Sequence, residues 1–104
     1  MQLRIGNRTF DWWDFGHSGV EHRAGLVAIL ARHNDGDAEV LDAVATTDMY
    51  AAADEFAEKG RLRLDEPGVG LGLLTYQTSP AEAVEMAAKL LRRGWVYPVE
   101  TEAR

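Results

Sequence analysis

Cysteine is absent from this 104-residue chain, which removes disulfides, thiolate metal ligands and cysteine nucleophiles from consideration. The usual reason for an oxidising compartment goes with them. The segment Met1-Gln2-Leu3-Arg4-Ile5 lacks the apolar stretch of a signal peptide, and no run approaches the roughly 20 apolar residues of a membrane span. The expectation is therefore a cytoplasmic protein with no membrane attachment. Lysine is scarce, two residues against nine arginines, and this balance, with abundant Ala, Gly, Asp and Val, suits a GC-rich bacterial genome. The length fits one domain over 1–104, large enough to bury a core without staples.

Positive charge is in deficit, and unevenly so. The net charge is −6, yet residues 1–34 and 67–104 are close to balanced. Residues 35–66 hold ten carboxylates against Lys59, Arg61 and Arg63, a local charge of −7. Such a field repels phosphate backbones and anionic lipid, which argues against nucleic-acid and membrane partners and favours a basic protein partner. Acidity for solubility alone is the competing explanation.

The sequence opens with a hairpin signal. Gly6-Asn7 suits a two-residue turn, and pairing across it sets Ile5 opposite Arg8, Leu3 opposite Phe10 and Met1 opposite Trp12. One face then carries Met1, Leu3, Ile5, Phe10 and Trp12, and the other carries Trp13. Ser18-Gly19-Val20-Glu21 has capping-box spacing and predicts a helix over 19–33 with Val20, Ala24, Val27, Leu30 and Ala31 on its inner side. The rival reading makes Leu26–Ala31 a strand that turns through Asn34-Asp35-Gly36 into a strand at 40–44.

Beyond this, 39–45 reads as a strand and 48–59 as a helix closed by Gly60. A strand at 61–65, a turn at 66–68 and a buried strand over 69–77 follow. Residues 80–93 read as a helix with Ser79 as N-cap, Pro80 at the first position and Gly94 at the end, and 95–101 as an edge strand limited by Pro98. The expected class is α+β, a mainly antiparallel sheet with two to three helices. Over 39–101 the order is that of a ferredoxin-like split βαβ unit, preceded by the hairpin and helix of 1–34.

The segment from Phe10 to His22 gathers four of nine aromatics, two of three histidines and three carboxylates. Asp14, His17, Glu21 and His22 supply oxygen and imidazole groups of the kind used by metal sites and by acid–base chemistry. The spacing of His17, Glu21 and His22 misses the inverted zinc pattern by one residue, and Ser18 and Ser79 are better explained as caps than as nucleophiles. The Pro67-Gly68-Val69-Gly70-Leu71-Gly72 stretch leads into a strand rather than a helix, so it is read as a turn with close packing and not as a phosphate loop.

The expected function is a small acidic interaction module, a regulator, adaptor or neutralising immunity-type inhibitor, that engages a basic protein. Trp13, Asp14, Phe15 and His17 at the junction, with Asp54, Glu55 and Glu58, form the expected contact set, and no metal or cofactor is called for. The alternative is a small enzyme or metal-dependent ligand-binding domain built on Asp14, His17, Glu21 and His22. A homo-oligomer burying Trp13 and Phe15 is a further option.

Overall fold

The computed structural model describes residues 1–14, 16–59 and 70–101. The elements run β1 (Gln2–Ile5), β2 (Arg8–Trp13), β3 (Gly25–Arg32), β4 (Ala38–Thr46), α1 (Met49–Glu58), β5 (Leu71–Gln77), α2 (Pro80–Arg93), β6 (Trp95–Val96) and β7 (Val99–Thr101). Phe15, the expected strand at 61–65 and its flanking turns lie outside the described residues. Among those described, seven strands form one curled antiparallel sheet in the order β6-β4-β3-β5-β2-β1-β7. The class is α+β, and no helix among the described residues is long and apolar enough to cross a membrane.

The hairpin has the register read from the sequence: Ile5 pairs with Arg8 and Leu3 with Phe10, and the Trp12 amide donates to the Met1 carbonyl at 2.9 Å. Helix α2 also has the expected bounds. The Ser79 hydroxyl accepts from the Glu82 amide, Pro80 fills the first turn, and Arg92 and Arg93 sit where the helix dipole favours cations.

The helix expected over 19–33 does not form. Residues 25–32 are instead the interior strand β3, paired with β4 on one side and β5 on the other. The apolar run from Leu26 to Leu30 is continuous because both faces of this strand are covered. Leu26, Ala28 and Leu30 point into one core with Leu3, Phe10, Trp12, Leu74 and the inner side of α2. Val27 and Ile29 point into a second core with Val20, Leu73 and Met49, Ala53 and Phe56 of α1. An apolar block buried on both sides carries no period-2 signature, and the capping-box spacing of Ser18 to Glu21 does not mark a helix here. Gly25 fits the strand for a steric reason. A Cβ there would meet the Tyr76 carbonyl oxygen at 2.3 Å, so only glycine lets the two backbones approach.

The ferredoxin-like arrangement is not confirmed among the described residues, where β3 lies between β4 and β5. The segment expected as one edge strand, 95–101, is divided by Pro98 into two strands on opposite edges of the sheet, β6 against β4 and β7 against β1. Val96 and Val99 are three residues apart, so at 3.8 Å per step the two edges approach within about 11 Å. The sheet therefore curls almost into a barrel, with Tyr97-Pro98 spanning the seam. Arg32, at the end of β3, reaches Glu100 of β7 at 2.6 Å and lies over the Trp12 ring, so it braces the same curl from within. Along β4 the pairing slips at Leu41, an extra residue opposite the Ile29/Leu30 step. Inward parity there changes from Ala38 and Val40 to Ala43 and Ala45. The Asp42 carboxylate accepts from the Ala43 amide at 2.8 Å, which with the bulge discourages pairing by another chain.

Candidate functional site

The connection from β2 to β3 is pinned to the start of α1. Val20 is its apolar anchor in the second core, and the Met49 and Tyr50 amides donate to the carbonyls of Arg23 and Glu21 at 2.9 and 3.2 Å. These bonds satisfy donors that a helix start leaves free. Asp48 serves the same end as N-cap, accepting from the Ala51 amide at 3.1 Å. Trp13 does lie on the face opposite Trp12, but that face is covered. The Trp13 indole is half-buried beneath Gly19, packs against the second core and donates to the Thr75 hydroxyl at 3.0 Å.

This docking brings both histidines onto Tyr50. The His17 and His22 rings lie 5.5 and 4.7 Å from its ring, centroid to centroid. Each imidazole also meets a carboxylate of the helix region, His17 Nε2 with Asp54 at 3.2 Å and His22 Nδ1 with Asp48 at 3.0 Å. The result is a row, Asp54, His17, Tyr50, His22, Asp48, along one side of α1. Beside it, a cavity of about 240 Å³ is lined by Asp11, Trp13, Glu21, Met49, Thr75 and Gln77, among others.

Of the residues singled out from sequence, His17 and Asp54 are thus brought together. Asp14 and Glu58 are exposed, Glu55 pairs with Lys59 at 2.7 Å and Glu21 with Arg23 at 2.9 Å. Phe15 lies outside the described residues. Asp14, His17, Glu21 and His22 do not converge as a ligand set. Among the described residues no group of three or more such side chains is arranged to hold one metal ion. Asp48 and Tyr50 complete the row, and neither belongs to the contact set expected from sequence. Asp48 announces a helix start in sequence, but its histidine partner is 26 residues away and only tertiary docking reveals it.

An imidazole oriented by a carboxylate is suited to moving protons. The His22 pair, with its imidazole 68 % exposed, is accessible to a ligand from solution. Among the described residues no Ser or Thr hydroxyl bonds to either imidazole, so the row lacks the nucleophile of an acyl-transfer triad. The His22 hydrogen bond, followed by the Ala51 amide, holds the Asp48 carboxyl below its usual range. A depressed carboxyl stabilises the fold above its unfolded value, about 3.9, and this contribution is lost as pH falls through the folded midpoint. We expect carboxyl NMR titration to place Asp48 below ordinary aspartates, and His22→Ala to raise its midpoint without abolishing the shift. An unchanged midpoint in that variant would show that the helix amide alone sets it.

No known protein family, curated protein or solved structure matches the chain.

Proposed function

We propose that this is an acidic cytosolic interaction module, a regulator, adaptor or neutralising inhibitor, that engages a more basic protein through α1 and the 14–23 connection. The observation that carries this reading is charge on a braced surface. Asp14, Glu21, Asp48, Asp54, Glu55 and Glu58 lie exposed or half-exposed there, against Arg23 and Lys59 as the full cations among the described residues. The hydrogen bonds and rings that tie the connection to α1 preorganise these carboxylates, which lowers the ordering cost of association.

The acidic middle of the sequence does not act as a single field. Asp35 and Asp37 sit in the β3–β4 turn, at the far end of the eight-residue β3 and about 25 Å from Asp48. That separation exceeds the screening length of about 8 Å at physiological salt, so Asp35 and Asp37 do not join the α1 group in steering a partner to this face.

Exposed charges accelerate encounter more than they tighten the complex. A basic protein captured on this chain, or an arginine-rich peptide as probe, should associate about tenfold or more slowly with the Asp54→Lys, Glu55→Lys, Glu58→Lys triple variant at low salt. The difference should shrink as salt rises. Association rates indifferent both to salt and to this charge reversal would overturn the proposal.

A second reading rests on the His22–Asp48 pair, which has the form of an acid–base couple. It predicts a catalytic activity lost in both His22→Ala and Asp48→Asn with folding retained. Loss in neither variant refutes it.

A further inference from the structure

On the other side of the sheet, the tip of the β1–β2 hairpin and helix α2 stand apart and leave a second cavity of about 240 Å³. Its floor is apolar and belongs to the first core: Ile5, Phe10, Met86 and Leu90. An engineered cavity of about 150 Å³ lined by similar side chains takes benzene, so this volume accommodates one aromatic ring with a short arm. The rim is charged. Arg8 is already committed, donating to the Tyr76 hydroxyl at 3.1 Å and to Glu82 at 3.2 Å. Lys89 and Arg93 are exposed, and no hydrogen bond or ion pair of their side chains is found among the described residues. They are four residues apart and so lie one above the other on the same side of α2. Glu85, a turn before Lys89, is the remaining carboxylate of the rim.

Cations in the last turn of a helix are accounted for by its dipole, and alone they indicate nothing more. Here they border a concave apolar floor, and the combination is selective. A ligand with a ring or short acyl chain buries it on Phe10, Met86 and Leu90 while its anionic end meets Lys89 and Arg93. A cationic ligand of the same shape would meet both at close range. The α1 carboxylates lie on the opposite face of the sheet, since α1 packs on the second core and α2 on the first.

We propose that this cavity binds a small amphipathic carboxylate, its apolar part on Phe10, Met86 and Leu90 and its carboxylate between Lys89 and Arg93. The test is an NMR titration of the whole chain with 3-phenylpropionate, beside 3-phenylpropan-1-ol and 3-phenylpropylamine. The carboxylate should give saturable shifts at Phe10, Met86 and Leu90. Each exposed charge contact is worth a factor of about 1.4 to 5, so the alcohol should bind about fivefold more weakly, and the amine more weakly still. Lys89→Glu with Arg93→Glu should lose binding about tenfold or more, Glu85→Gln should strengthen it about twofold, and Met86→Trp should abolish it by filling the floor. These substitutions lie at surface or cavity-lining positions, and circular dichroism checks that the fold persists. Equal binding of acid and alcohol, shifts centred elsewhere, or no saturable shift with the carboxylate would each overturn the proposal.

Discussion

Gly72→Ala should destabilise the protein by about 3 kcal/mol or more, at or beyond the top of the range for an added methyl in a packed core. A Cβ at this position would lie 2.0 Å from Cζ2 and Cη2 of Trp12. Trp12 pairs directly with Leu74, so Gly72 is its diagonal neighbour on the same face, and the indole spreads across the bare backbone. The ring has little room to withdraw. It is 4 % exposed, and Arg32 lies over it while bound to Glu100. For a domain of this size each kcal/mol lowers Tm by about 4–8 °C, so thermal melts should fall by about 12 °C or more. The cause is tested by a double-mutant cycle. In a Trp12→Leu background, itself destabilised, Gly72→Ala should cost less than about 1 kcal/mol. Additive losses would place the strain elsewhere.

Ile29→Ala and Leu30→Ala should each cost about 2–5 kcal/mol, although the two residues are adjacent and face opposite ways. In a strand covered on one face only, one of the pair would be nearly silent. Here Ile29 and Leu30 are 1 % and 0 % exposed, in cores capped by α1 and α2 respectively. A helix over 19–33, with Leu30 inward and Ile29 off the inner stripe, would give the contrasting result of a large loss at Leu30 only. Denaturant unfolding of the two variants separates these cases, and a loss at Ile29 below about 1 kcal/mol would contradict the two-core arrangement.

Where the chain was legible, the information was local. The Gly6-Asn7 turn and the alternation of Leu3, Ile5, Phe10 and Trp12 fix the hairpin within a dozen residues, and Ser79, Pro80 and Gly94 mark α2 at both ends. The misreadings came from features defined by distant partners. Leu26 to Leu30 look the same whether helical or sandwiched, and only α1 and α2 on opposite faces make the segment a strand. The row at the candidate site depends on the 16–23 connection folding onto α1, which pairs His17 and His22 with Asp54 and Asp48. Motif spacing had joined the same histidines to Asp14 and Glu21. The face of Trp13 was read correctly, but a pattern within one hairpin does not say what covers that face. Pro98 correctly signalled an edge, and nothing local to it signals that two edges are involved.

The division of the last strand at Pro98 also sets a timetable for folding. The Thr101 hydroxyl donates to the Gln2 carbonyl across 99 positions of sequence, and β7 adds to a hairpin that residues 2–13 form locally. Hairpins form locally within microseconds, whereas joining segments so far apart in sequence must first overcome the entropy of closing the long intervening loop. The hairpin, β3 with β4, and the helices can therefore assemble while the seam stays open, and sheet closure becomes the late, slow event. Until residues 95–101 dock, the Ala38–Glu39 end of β4 and the outer side of β1 both stay unpaired, and one closing event covers the two together.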